Sequence, residues 1–108
     1  MKEYKIYTTK RFEKEKSKLT LDEQRKIDKI FLQLKSNPYV GDQLRYKFFR
    51  EKRIKEKRIY YLVYDDFLAV LIVAISNKKT QKETIDYIMS FFDEYRRYVG
   101  ELVMEDKD

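Results

Sequence analysis

The longest run of β-branched, aromatic and aliphatic residues lies between Arg58 and Ser76 and is interrupted once, at Asp65-Asp66. It has no three-to-four-residue period, and its Tyr, Val and Ile residues favour extended structure. The run therefore predicts a central β-hairpin turning at the two aspartates. Asp tolerates the left-handed conformation that such a turn needs, which leaves the turn type open. A single buried helix is the alternative, but the residues from Phe67 to Ile75 would make it apolar all round. Apolar side chains occupy both alternation phases, with Ile59, Tyr61 and Val63 on one face and Tyr60, Leu62 and Tyr64 on the other. Such a strand needs cover on both faces.

The flanking segments supply the candidates for that cover. Tyr4 to Thr8 alternates as a short strand, and Thr8 or Thr9 can cap a helix to about Leu19 whose only clearly apolar members are Phe12 and Leu19. Thr20-Leu21-Asp22-Glu23 has the spacing of a capping box. Ile27, Ile30, Phe31 and Leu34 follow at helical spacing, and Asn37-Pro38 stops that helix. Tyr39 to Asp42 reads as a turn, and Leu44 as a core anchor. The segment from Tyr46 to Arg58 begins apolar and becomes densely charged. It predicts a strand with a connection near Lys55-Glu56, with a solvated surface helix as the alternative. After the hairpin comes a basic loop, Ser76 to Lys79. Thr80-Gln81-Lys82-Glu83 then repeats the capping-box spacing ahead of a stripe of Ile85, Ile88, Phe92, Tyr95 and Val99. Gly100 is the expected stop of this helix, and residues 101–108 form an acidic tail expected to fray. The order β-α-α-β-β-β-α predicts one α+β domain over residues 1–108, with helices packed on an antiparallel sheet. Three helices, the first poorly amphipathic, are expected to leave part of the hairpin bare. A partner segment, an acidic amphipathic helix or an added strand, or a second copy in its absence, would then cover the exposed surface.

Composition narrows the chemistry. The chain has 108 residues, enough for one core. Its formal net charge is +6, which favours a polyanionic partner. It has no Cys and no His, which excludes disulfides, thiolate nucleophiles and structural zinc sites. No metal or cofactor is expected, and chemistry must run on Lys, Arg, Tyr, Asp or Glu. No apolar run is long enough to span a membrane and the N-terminus lacks a signal-peptide core, so a soluble cytoplasmic protein is expected.

An anchoring Leu44, a basic second strand, Arg58 followed closely by Tyr60 and Tyr61 on the third strand, and Lys78-Lys79 after an apolar fourth strand resemble the RelE/ParE superfamily of toxin–antitoxin toxins. The Lys-rich surface is closest in character to archaeal RelE-like members. The resemblance implies a ribosome-dependent, metal-independent mRNA endoribonuclease that inhibits translation and is restrained by an acidic antitoxin. A ParE-like topoisomerase inhibitor, or a member that only binds nucleic acid or a partner, is the alternative. Under this resemblance Arg58 stabilises charge developing on the scissile phosphate, and Lys79, with Lys78 beside it, supplies a second cation. Lys47, Arg50 and Lys52 lie on the strand that carries the family's lysines, in an open register. Arg53 and Lys57 extend the nucleic-acid-binding set. The base can come from Glu51, a Lys or a Tyr. Tyr87 reaches the family's C-terminal tyrosine only with two residues inserted, since the ungapped position is Ile85. Without the resemblance, the same charges are a solvated strand edge, and Arg58 is a structural partner for Glu51 or Asp66.

Overall fold

The computed structural model describes residues 2–106. Along the chain run β1 (Lys5–Thr8), α1 (Lys10–Ser17), α2 (Leu21–Ser36), the two-residue strand β2 (Asp42–Gln43), β3 (Phe49–Ile54), β4 (Lys57–Tyr64), β5 (Ala69–Asn77), α3 (Gln81–Ser90) and α4 (Phe92–Asp106). The sheet has the order β1-β5-β4-β3-β2. Strands β2 to β5 are antiparallel neighbours, as expected, but β1 pairs parallel to β5, so the sheet is mixed. The chain leaves β1 through two helices and re-enters at the far edge, and the meander then returns β5 alongside β1 in the same direction. No helix among the described residues is long and apolar enough to cross a membrane.

Both faces of β4 and β5 are covered by the chain itself. Phe12 of α1 and Ile27, Ile30 and Leu34 of α2 pack with Ile59, Tyr61, Val63, Val70 and Ile72 on one face. Ile88 of α3 and Val99 of α4 pack with Tyr60, Leu62, Leu71 and Val73 on the other. The expected bare hairpin face is therefore absent. Among the described residues there are four helices where three were expected, and α1 contributes a fully buried Phe12 despite its weak periodicity. The apolar pattern alone therefore gives no ground for a wrapping partner or for self-association.

Residues Val73 and Ala74 face the same side at an irregularity in the β4–β5 pairing, between Tyr60 and Tyr61. A bulge of this kind leaves a backbone group off the ladder, and Thr9 meets it. Its hydroxyl donates to the Val73 carbonyl at 2.7 Å while accepting from the Phe12 amide to cap α1. Beyond the end of β1, the Ile75 amide donates to the Glu15 carboxylate at 2.9 Å. Helix α1 thus takes over the hydrogen bonding of β5 where the edge strand stops.

The caps divide. Thr20 and Glu23 make the expected reciprocal capping box on α2. Thr80 makes no side-chain cap on α3, because Asn77 Oδ1 instead accepts from the Thr80 amide at 3.0 Å and its hydroxyl at 3.1 Å. The expected two-residue turn at Asp65-Asp66 is a short 3-10 turn over Asp65–Phe67 closed by Leu68 in the left-handed region, φ 49°. The last helix breaks at Phe91, and Gly100 does not stop it. Residues 101–106 are helical rather than frayed: Asp106 accepts from the Tyr7 hydroxyl at 2.6 Å and pairs with Lys5 at 2.9 Å. The rest of the expected tail lies outside the described residues.

Two fixings hold the loop that leads into β2. A Cβ on Gly41 would lie 2.5 Å from both the Glu51 carbonyl and the Tyr61 hydroxyl, so only glycine admits this approach. Arg50 then donates to three carbonyls, Gly41 at 3.0 Å, Lys47 at 2.9 Å and Tyr39 at 3.1 Å. Replacing Arg50 with Ala should cost roughly 2–3 kcal/mol in denaturant unfolding because charged hydrogen bonds are lost, and Arg50→Lys should recover little, since an ammonium lacks the fork geometry. At the far end of β4, Asp65 accepts from the Tyr39 hydroxyl at 2.6 Å and the Tyr4 hydroxyl at 2.7 Å. These bonds, Tyr39's first, hold its carboxyl below the usual range. A depressed folded-state value stabilises the fold above the unfolded pKa of about 4 and is lost as pH falls toward the folded one. Wild type should therefore lose stability between about pH 4 and lower values, and Asp65→Asn should show a shallower loss in the same acid titration followed by circular dichroism.

Candidate nucleic-acid interface

The β3–β4 hairpin and the loop after β5 meet at one end of the sheet. The β3–β4 connection is two residues long, Lys55-Glu56, with Lys55 in the left-handed region at φ 54°. This places Arg53 opposite Arg58, and Arg58 in turn pairs across to Ser76 on β5. Lys78 and Lys79 follow directly. Arg53, Lys55, Glu56, Arg58, Asn77, Lys78 and Lys79 line an open cleft of about 770 Å³. Five cations against one carboxylate make it the chain's concentrated positive feature.

The cleft is built over a buried ion pair. Strand alternation puts Glu51, Arg53 and the cross-strand Arg58 on the α3/α4 face, the face of Phe49 and Tyr60. Glu51 is 3% exposed, and its Oε2 lies 3.5 Å from Arg53 Nε and 3.6 Å from Arg58 Nε. Arg58 is itself 8% exposed. Burying a guanidinium without a counter-charge is expensive, and removing one partner of such a pair costs about 3–5 kcal/mol. Glu51 is that counter-charge. The 3.6 Å separation is too long for a hydrogen bond, and Glu51 Oε2 and Arg58 Nε are buried without one. Glu51 thus holds Arg58 by charge from behind, while the guanidinium borders the cleft and makes no hydrogen bond among the described residues.

Beneath Arg58 the Tyr60 hydroxyl lies 2.7 Å from Ser76 Oγ, both residues being buried. Burial pushes the Tyr60 phenol up, so it stays protonated at neutral pH. Such a site can bind and neutralise a phosphate through preorganised cations.

The sequence-predicted residues separate into those at the cleft and those elsewhere. Arg58, Lys79, Lys78 and Arg53 line it, and Glu51 lies behind it. Lys52 belongs to the opposite phase of β3 and pairs with Ile59, on the α1/α2 side. Lys57 also turns to that side, where its Nζ meets Glu23 at 3.1 Å and joins the cap of α2. Arg50 is committed to the three carbonyls described above. Lys47, at the other end of β3, lies 5.0 Å from the centre of the Tyr39 ring. Tyr87 stands in a neighbouring groove with Thr80 and Thr84, its ring under the Arg11 guanidinium at 5.1 Å. Lys55 is the cleft cation that the sequence reading left out, as it did Glu56 and Asn77. Its signal was a cation at the tip of a tight hairpin, here also 3.3 Å from Asp22.

No sequence-family model and no curated relative matches the chain. The likeness is in the backbone. An E. coli RelE toxin mutant in the free state superposes with a TM-score of 0.67 at 16% identity, covering 80% of this chain and 98% of that one. The intact E. coli RelBE toxin–antitoxin complex gives 0.62 at 17% identity over 68% of this chain and 95% of the matched one. The Mycobacterium tuberculosis RelBE2 toxin–antitoxin complex gives 0.62 at 22% identity, over 72% and 94% respectively. The mixed sheet with helices on both faces is therefore the fold of the RelE toxins.

Proposed function

We infer that this chain is the toxin of a type II toxin–antitoxin pair, a RelE-like endoribonuclease that cuts mRNA on the ribosome without a metal and is restrained by an antitoxin. The observation that carries the reading is the cationic cleft over the buried Glu51–Arg58 pair, set in a RelE fold whose solved relatives include toxin–antitoxin complexes. In the proposed reaction the 2′-hydroxyl attacks the adjacent phosphorus to form a 2′,3′-cyclic phosphate and gives its proton to water, and the 5′-oxygen leaves and takes a proton from water. Charge gathering on the phosphoryl oxygens is met by Arg58, with Arg53, Lys78 and Lys79 holding the flanking backbone. Glu51 keeps Arg58 in place rather than lying in the substrate's path. Action on translating ribosomes places the protein in the cytoplasm.

One observation favours a second reading, ParE-like inhibition without chemistry. Among the described residues neither a phenol nor an imidazole lines the cleft.

Induction of the protein should arrest translation, with mRNA cut on ribosomes, and Arg58→Ala should lower the cleavage rate by at least about a hundredfold, as loss of one charge-stabilising donor does elsewhere. Arrest that persists in Arg58→Ala with intact mRNA sinks the nuclease reading, and DNA-damage signalling with intact mRNA selects the second. The lysines should behave differently. Lys78→Ala and Lys79→Ala should each weaken single-stranded RNA binding whatever its sequence and reduce the slope of log affinity against log salt by about 0.7. A titration at several salt concentrations reads this directly, and an unchanged slope removes those lysines from the interface.

A further inference from the structure

The opposite end of β4 carries a second concavity of inverse character. Phe48, Val63, Tyr64 and Phe92 make its apolar walls, and Asp65, Asp66 and Asp93, with Arg96, its charged rim; its volume is about 580 Å³. Tyr64 lies six residues from Arg58 on the same strand, roughly 20 Å at strand rise. Three carboxylates against one guanidinium line the pocket, with Lys47 acting on Asp65 from beside it, on a chain of net charge +6. Asp66 pairs with Arg96, Asp65 accepts from two tyrosines, and both carboxyls are held below their usual range by those hydrogen bonds. Asp93 has no ion pair among the described residues.

Three features call for an occupant. Tyr46 is 46% and Phe48 37% exposed. Their rings stack at 5.3 Å, with Phe92 edge-on at 5.7 and 5.2 Å, forming an ordered aromatic shelf open to water. The Tyr64 hydroxyl is buried without a hydrogen-bond partner among the described residues, in a residue only 7% exposed. Finally, the site already accommodates a guanidinium: Arg96, exposed itself, pairs with Asp66 and lies 4.8 Å from the Phe67 ring centre and 5.8 Å from that of Tyr64.

We propose that this pocket docks a segment of a partner protein that presents an arginine or lysine beside an apolar side chain. The cation meets Asp93 and the Asp66 edge, and the apolar neighbour covers the Tyr46–Phe48 shelf. A backbone carbonyl of the segment accepts from the Tyr64 hydroxyl once the side chains over it give way. Phosphate-bearing partners are repelled by the three aspartates. A bare amine brings neither the carbonyl nor the apolar cover. The proposal does not depend on the function inferred for the cleft.

The test is an amide chemical-shift titration of the full chain. The probes are a blocked pentapeptide with arginine between two leucines, its counterpart with glutamate in place of arginine, and benzylamine. The arginine peptide should shift the amides of Phe48, Tyr64, Asp66 and Asp93 at least about fivefold more tightly than either other probe, and added salt should weaken it. Asp93→Asn, an exposed change that leaves the core intact, should reduce that preference, and Phe48→Ala should reduce affinity for the arginine peptide. Equal response to the two peptides, equal binding of benzylamine, or shifts confined to the basic cleft overturns the proposal. So does concentration-dependent sedimentation that Phe48→Ala abolishes, which would make a second copy of this chain the occupant.

Discussion

The structure depends on burying β4 and β5 on both faces. Nearly every side chain from Arg58 to Tyr64 and from Ala69 to Ser76 is out of water. A sheet patterned in this way cannot present a face to a ligand, because each face is closed by a helical layer. Only the strand ends and the loops joining them remain for recognition. That constraint explains why both concavities lie at opposite ends of β4 and why their characters are set by short connections: Lys55-Glu56 with Lys78-Lys79 at one end, Asp65-Asp66 with the start of α4 at the other.

At the basic end, burial and function pull against each other. Arg58 occupies a position that the sheet would ordinarily give to an apolar residue, next to Ile59 and Tyr60. Its charge is tolerated because Glu51 sits one strand away in the same phase. The pair is weak evidence for stability, since a well-packed apolar pair of similar volume is often as stable or more so. What it supplies is a guanidinium whose desolvation has been met at folding rather than at binding, so an arriving anion finds it already oriented. Arg53, 60% exposed at its side chain, shares the same carboxylate from outside.

Much of this was legible in the chain, and the failures have physical causes. The two-phase apolar run, the α2 capping box and the stripe through Ile88 and Val99 were readable because burial repeats at the period of the element. Direction of pairing was not, since nothing in Tyr4 to Thr8 encodes which neighbour it meets. Thr80 and Glu83 have capping-box spacing, but Asn77 reaches the same amide first, a competition between two local motifs that spacing alone cannot rank. Gly100 reads as a stop only if the next residues lack partners, and Asp106 has two. The parity of β3 was the decisive ambiguity at the site. Phe49 and Ile54 are both buried yet lie on opposite faces, so the apolar pattern could not say whether Arg50 and Lys52 or Glu51 and Arg53 share a face with Arg58. Gly41 and Arg50 fix that parity, through backbone contacts that a hydropathy pattern does not record.

The same reasoning revises what the net charge means. A value of +6 spread evenly would specify only an anionic partner, and that was its reading from composition. The folded chain instead separates its charge along β4, with cations gathered over Glu51 at one end and three aspartates around an aromatic shelf at the other. Fields from the two ends are largely independent, since their roughly 20 Å separation exceeds the Debye length of about 8 Å at physiological salt. Each end therefore presents its own charge to a partner. A protein spanning both would have to be acidic where it meets Arg58 and cationic where it meets Asp93, a requirement on its sequence order as much as its composition.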